Sequence, residues 1–295
     1  MTKKILITGS RGQLGRSLQD AVPDGYDLIS VDIDEMDIAN QTQLLRLMEE
    51  KRPDGIINTA AYTNVEKAES EREKAYEINC RGVENLAIAA KQRDVPIVHV
   101  STDYVFDGKN YKPYQPESKT NPINVYGQSK LAGEQKLLEI YSEKAYIVRT
   151  SWLYSQYGNN FVKTMLRLMN ERDVLKVIDD QIGAPTSATT LAQTIWTILN
   201  KRPAYGIYHW TDAGVASWYD FAVAIYEIGV TLGLVKNKSV AIFPISETEY
   251  PSQATRPQFS VLDKRKTLTA VEQTAVHWKN VLERELKIIK NNLFF

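Results

Sequence analysis

Tyr126 and Lys130 stand one helical turn apart in Val125-Tyr126-Gly127-Gln128-Ser129-Lys130, so both side chains leave one face of a helix. A phenol with an ordinary pKa of about 10 is a poor acid at neutral pH, and an adjacent ammonium makes it usable by stabilising its anion. The pair predicts proton delivery to an oxygen that is gaining negative charge, as in ketone reduction. With 16 tyrosines in the chain, a Tyr-x-x-x-Lys spacing arises about once by chance, so its position must carry the weight. It lies about 25 residues after Ser101-Thr102-Asp103, which ends a strand-like run and offers a hydroxyl that can meet the phenol around one carbonyl oxygen.

A second cluster handles phosphate. Gly9-Ser10-Arg11-Gly12-Gln13-Leu14-Gly15 follows a first apolar run and opens a helical pattern at Leu14, Leu18 and Ala21. Glycines at this spacing turn the chain tightly and bring backbone N–H groups against a pyrophosphate at a helix N-terminus. Asp32, 20 positions beyond Gly12, ends the second run and is suited to the adenosine ribose hydroxyls. That favours NADH, because a 2′-phosphate would be repelled, whereas Arg11 could pair with that phosphate. No basic residue follows in Asp32 to Asp37, so the balance tips toward NADH with NADPH still allowed.

These groups need a scaffold. Lys4–Thr8, Asp27–Val31, Gly55–Asn58, Ile97–Ser101 and Ala145–Arg149 are near-continuous apolar runs, as expected of strands buried on both faces. Helical spacing fills 42–51, 75–93 and a segment starting near Asn124. The alternation predicts an α/β fold, a Rossmann-type doubly wound parallel sheet with a smaller α/β substrate domain. The expected division is 1–150 for the dinucleotide and 151–295 for the substrate, partly interleaved through a returning strand, with a terminal amphipathic helix at 276–289. Tyr205, Tyr208, Trp210, Trp218, Tyr219 and Phe221 are expected in the core of the second domain.

Composition sets limits. The 295 residues carry 36 Lys+Arg against 36 Asp+Glu and no run of like charge, which argues against a nucleic-acid partner. Cys80, the one cysteine, reads as a small buried residue without a disulfide. The apolar run after Lys4 is too short for a signal core, and 221–235 is broken by Glu227 and Thr231, short of the ~20 residues of a membrane span. A cytoplasmic protein with no membrane partner is expected. His99, His209 and His277 are scattered without ligand spacing, so no metal is expected, and His99 reads as a satisfied core histidine.

The glycine turn, Asn58–Thr63, Ser101–Phe106 and the Tyr126/Lys130 pair together resemble the extended short-chain dehydrogenase/reductases. Narrower matches at Asn124–Gly127, Arg149–Trp152, Gly158–Phe161, Asp180–Thr186 and Arg256-Pro257 resemble the dTDP-4-dehydrorhamnose reductase family within them, over nearly the whole chain. The resemblance implies NADH- or NADPH-dependent reduction of the C4 ketone of dTDP-4-dehydro-β-L-rhamnose to dTDP-β-L-rhamnose, the last step of dTDP-rhamnose synthesis for surface polysaccharide.

It implies Tyr126 as proton donor, Lys130 as ribose ligand and as the group that lowers the Tyr126 pKa, and Thr102 near the reacting oxygen. Gly9, Arg11, Gly12, Gln13, Leu14, Gly15, Asp32, Asp37, Ile38, Ala60, Ala61, Tyr62 and Thr63 would hold the cofactor together with Tyr126 and Lys130. Thr102, Asp103, Trp152 and Asn160 would hold the dTDP-linked 4-keto-6-deoxysugar, with Trp152 walling its methyl side and Arg256 facing the diphosphate. Related dehydratases follow the Thr with Asp-Glu, and Tyr104 here disfavours that chemistry. An epimerase would use the same loop and pair, and a non-catalytic regulatory subunit of methionine adenosyltransferase would share the fold. Glutamates that bridge a dimer through magnesium in some members match Ser17 and Thr189, so a monomer or another homodimer is expected.

Overall fold

A computed structural model describes residues 2–293. The first half runs β1 (Lys3–Thr8), α1 (Gln13–Asp20), β2 (Tyr26–Val31), α2 (Gln41–Lys51), β3 (Gly55–Asn58), α3 (Val65–Ser70), α4 (Arg72–Tyr76), α5 (Gly82–Arg93), β4 (Ile97–Thr102), α6 (Val125–Tyr141) and β5 (Ala145–Thr150). The second half adds β6 (Leu153–Tyr154), α7 (Phe161–Glu171), β7 (Val174–Ile178), β8 (Ile182–Gly183), β9 (Thr186–Ser187), α8 (Ala188–Lys201), β10 (Gly206–His209), β11 (Ala216–Ser217), α9 (Trp218–Leu232), β12 (Ala241–Ile245), α10 (Arg265–Val271) and α11 (Trp278–Leu293).

Six parallel strands form the central sheet in the order β10-β5-β4-β3-β1-β2. Every residue of β3 and β5 is buried, which is why those runs are apolar without alternation. Side chains still alternate between faces: Ile5 and Ile7 pack under α1 and α8, while Leu6 packs with Leu44, Leu86 and Leu137 of α2, α5 and α6. The chain leaves β1 first toward β2 and then returns to its other side at β3. That reversal opens a crevice beyond the carboxyl ends of the strands, where such sheets bind ligands.

The expected helix over 75–93 is broken. α3 and α4 precede a π turn at Glu77–Arg81, and only then does α5 begin. The extra residue in that turn swings Asn79 inward, where Nδ2 donates to the Tyr62 carbonyl and to Ser129 Oγ at 3.0 Å each. The terminal helix is shifted two residues from the expected start and runs on to Leu293.

The second half does not stay together. β10 joins the sheet beside β5, α8 lies against α1, and Leu268 and Val271 of α10 join the same core. Tyr208 and Trp210 are therefore buried in the sheet's core and not in that of the second unit, because the returning strand carries them there; Tyr205 sits at the surface against Tyr146. Trp218, Tyr219 and Phe221 do pack in the separate core of α7, α9 and α11. Cys80 is half-buried rather than buried, since the π turn leaves it beside Glu84 and Lys136; burial pushes its thiol up. His99 is buried, with Nδ1 2.9 Å from Asn58 Nδ2, and burial holds it neutral, but Nε2 has no partner among the described residues. Its satisfaction is thus half of what a core histidine needs.

Candidate active site

An open cavity of about 840 Å³ lies along the strand ends. Gly9, Arg11, Gly12, Gln13 and Leu14 line it from the β1–α1 turn, Asp32, Asp37 and Ile38 from beyond β2, and Ala60, Ala61 and Thr63 from beyond β3. Thr102, Asp103, Tyr126, Lys130 and Trp152 also line it.

The phosphate end is made of backbone. The Gly12 N–H closes a turn onto the Gly9 carbonyl at 3.1 Å, and Gly12 caps α1 without any side-chain hydrogen bond, so the first amides of the helix have no capping partner among the described residues. Asp32 grips this turn: Oδ2 accepts from the Arg11 N–H at 2.8 Å, and Oδ1 accepts from Ile33 N–H at 2.9 Å. The Arg11 guanidinium is held by Asp34 at 2.6 Å and by Glu35, and these partners raise its pKa further.

Four expected residues do not line the cavity. Gly15 packs α1 onto its own turn, where a Cβ would stand 2.3 Å from the Gly9 carbonyl oxygen. Tyr62 turns its ring into an apolar cluster with Ala68, Ala75 and Val125, while its N–H donates to Asn79 Oδ1 at 2.9 Å; it holds the loop rather than a ligand. Asn160 caps α7 by accepting from the Lys163 N–H, and its Nδ2 donates to Gln13 Oε1 at 2.9 Å, so it fixes a lining residue from behind. Arg256 is bound by Glu66 at 2.6 Å, and its charge acts on the hydroxyl of the cavity-lining Tyr104. Ser17 lies inside α1, donating to the Gln13 carbonyl, and Thr189 sits in the first turn of α8.

The catalytic helix α6 is set by its cap. Asn124 Oδ1 accepts from the Gly127 N–H and Nδ2 donates to the Thr255 carbonyl, each at 2.8 Å. Gly127 has no room for a side chain: a Cβ would meet the Tyr104 carbonyl oxygen at 2.1 Å. This close approach brings the Tyr104 ring edge-on to Tyr126, with centroids 5.6 Å apart. Tyr126, Lys130 and Glu134 form one i,i+4 stripe. Glu134 is clasped by Arg149 of β5 through Nε at 2.9 Å and Nη2 at 2.6 Å, with both side chains only 2% exposed, which fastens helix to sheet.

The electrostatics differ from the expectation in one respect. Lys130 donates through Nζ to the Val100 carbonyl at 2.7 Å, and burial, opposed by Glu134, brings it down to about 8. Tyr126 is not lowered. Burial, together with the Asp103 charge and opposed by a hydrogen bond with Thr102, pushes its phenol up to about 12. Asp103 is itself pushed up to about 6 by burial, with Thr102 donating to Oδ1 at 3.0 Å and Oδ2 unpaired among the described residues.

Sequence reasoning missed Tyr104, Trp218 and Asn159 as lining residues, and Asn79, Glu134 and Arg149 as supports. Glu134 could have been found by extending the Tyr126–Lys130 stripe one more turn. Trp218 had no local signal, because it meets the cavity by stacking on Trp152, 66 positions earlier in the chain.

Three comparisons bear on the chain as a whole. The family model described as RmlD substrate binding domain matches residues 3–291. A dTDP-4-dehydrorhamnose reductase of Aggregatibacter actinomycetemcomitans is 43% identical over 287 residues, 95% of this chain and 97% of that protein. Crystal structures of dTDP-4-dehydrorhamnose reductases from Clostridium acetobutylicum (40% identity, TM-score 0.91, 97% of this chain and 99% of that one) and from Bacillus anthracis in complex with NADP (39%, 0.92, 98% and 100%) share the fold from end to end. A resemblance first carried by a few short motifs thus extends over the full path of the backbone, and the chain belongs to the dTDP-4-dehydrorhamnose reductase family.

Proposed function

We propose that the chain reduces the C4 ketone of a dTDP-linked 4-keto-6-deoxysugar, dTDP-4-dehydro-β-L-rhamnose, to dTDP-β-L-rhamnose with NADH or NADPH. The observation that carries this is the convergence on one cavity of an uncapped helix N-terminus with Tyr126, Lys130 and Thr102. The donors fit a dinucleotide: the amides from Gln13 onward suit its diphosphate, and Asp32 suits a ribose diol. When bound, the nicotinamide supplies hydride to the ketone carbon.

The chain's own residues manage the proton. Tyr126 gives its phenolic proton to the ketone oxygen as charge develops there, and Thr102 orients that phenol. Asp103 and burial hold the phenol protonated until the substrate oxygen demands the proton. Lys130, anchored by Val100, supplies the positive charge that offsets the phenolate left behind. Tyr104 occupies the place where a dehydratase would carry its second carboxylate, which supports simple reduction. The closed Arg11–Asp34–Glu35 cluster beside Asp32 supports NADH as the preferred reductant, since Arg11 is already neutralised.

Residues 1–150 serve the cofactor and 151–295 the sugar, with α8, β10 and α10 returning to the first part. Both substrates are those of cytoplasmic biosynthesis, and no helix among the described residues is long and apolar enough to cross a membrane. Monomer and homodimer are both compatible with this site, whose groups come from one chain. The test is oxidation of NADH and of NADPH with dTDP-4-dehydro-L-rhamnose beside its UDP- and GDP-linked relatives. Turnover of the dTDP sugar, faster with NADH, is expected; no oxidation with any of them, together with copurification of an adenosyltransferase, would replace this reading by the binding-subunit one.

A further inference from the structure

Trp152 is held in a conformation that a side-chain-bearing residue avoids. Its φ is +48°, in the left-handed region, and such strain persists only where the surroundings over-determine it. Here they do so from three directions. Its carbonyl accepts from the Thr186 N–H at 3.2 Å, and the next two residues pair with β9. Its indole lies flat on Trp218, centroids 3.7 Å apart and planes 9° from parallel. Its far edge rests on Gly183, where a Cβ would fall 2.6 Å from Cε2 and 2.8 Å from Nε1.

The seat and the stack are one unit. Gly183 pairs with Ala216 in the β8–β11 ladder, two residues before Trp218 opens α9. That opening is fixed by a reciprocal cap, with Ser217 N–H donating to Asp220 Oδ2 at 2.8 Å and Asp220 N–H donating to Ser217 Oγ at 3.0 Å. Phe161 supports Trp218 from another side, with centroids 4.6 Å apart. Both indoles line the cavity that holds Tyr126.

We propose that Trp218 is a positioning residue that, together with the Gly183 seat beneath Trp152, holds Trp152 as the apolar wall for the methyl-bearing face of the deoxysugar. The inference rests on the reading of this cavity as a deoxysugar site. Two stacked rings present a rigid apolar surface at low entropic cost, suited to the C–H face of a sugar that lacks its C6 hydroxyl. As part of the sugar wall, the pair is expected to set sugar affinity and to leave the affinity for the cofactor unchanged.

The test separates these terms with Trp218→Phe, Trp218→Ala and Gly183→Ala, measuring the KM for the keto sugar, the KM for NADH and the ultraviolet circular-dichroism couplet of the stacked indoles. Trp218→Ala is expected to abolish the couplet and raise the sugar KM about tenfold or more, with the NADH KM within about twofold. Gly183→Ala keeps both tryptophans and is expected to do the same by pushing Trp152 off its seat. Trp218→Phe keeps a ring in the stack and is expected to recover part of the affinity. An unchanged sugar KM once the couplet is gone overturns the proposal, as does an equal rise in both KM values. A wild type that turns over no sugar overturns the functional reading itself, which is a distinct result because the couplet is still measured.

Discussion

The two sides of the cavity are built from different material. On the cofactor side the groups are backbone amides and short polar residues at the ends of β1, β2 and β3, held by ladder hydrogen bonds within a single sheet. On the sugar side they are large side chains, Trp152 and Trp218 stacked in the cavity and Arg256 behind Tyr104, carried on two-residue strands and loops of the second half. A backbone-made surface depends on the path of the chain and, at glycines such as Gly15, on there being no side chain at all. A surface made of side chains depends on each support in turn, so it is where specificity and fragility both reside.

The catalytic pair stands at the seam of the two sides, and substitution there has the largest expected effect. Tyr126→Phe lowers kcat by ~10²–10⁴-fold with both KM values little changed. Stopped-flow or steady-state oxidation of NADH checks it, and a loss confined to KM would assign Tyr126 to binding. Next comes the anchor of that helix. Glu134→Ala leaves the Arg149 guanidinium buried and unpaired, at a cost of about 3–5 kcal/mol in unfolding free energy, read from urea denaturation. A loss below about 1 kcal/mol would mean that water reaches Arg149.

pH probes the same seam more gently. Lys130 sits at about 8, below its ordinary 10.5, so its ammonium is present at neutral pH and lost as the pH passes about 8. Reduction is then expected to be flat around neutrality and to fall up to about tenfold per pH unit above 8. For stability the sign is opposite. The unfolded chain holds this proton up to 10.5 and the folded one only to about 8, so between these values the contribution of Lys130 rises with pH. An alkaline limb above 10 would mean that Lys130 is not the group that titrates.

The smallest effect falls on the backbone-made side. Asp34→Asn with Glu35→Gln frees Arg11 for a 2′-phosphate and is expected to shift the NADPH-to-NADH ratio of kcat/KM several-fold toward NADPH, with NADH turnover retained. The pairs are solvent-exposed, which keeps the effect modest. No shift would leave Asp32 as the only discriminator.

How much of this was legible in sequence follows the same divide. The five expected strands of the sheet and the glycine turn were readable because each is a contiguous signal, an apolar run or a fixed spacing. The break at Glu77–Arg81 was not, since the apolar spacing of 75–93 is that of an uninterrupted helix and only burial of Asn79 among polar partners reveals the π turn. The ion pair that engages Arg256 leaves no local trace in sequence, because its partner, Glu66, lies 190 positions away. The lowering of Tyr126 was expected from the i+4 ammonium; helix spacing sets the distance between the two side chains but not that Lys130 turns toward Val100 and Asp103 faces the phenol. Tyr208 lies on β10 and Trp210 just after it, and nothing in a four-residue strand tells which sheet it joins.

One measurement bears on the whole account: transfer of label from nicotinamide deuterated at C4 to the keto sugar, followed by nuclear magnetic resonance with the wild type and with Tyr126→Phe. The expected result is deuterium at C4 of a dTDP-L-rhamnose product with the wild type, and transfer slowed by two orders of magnitude or more in the variant. Deuterium at another carbon, no transfer by the wild type, or full-rate transfer by Tyr126→Phe would contradict it.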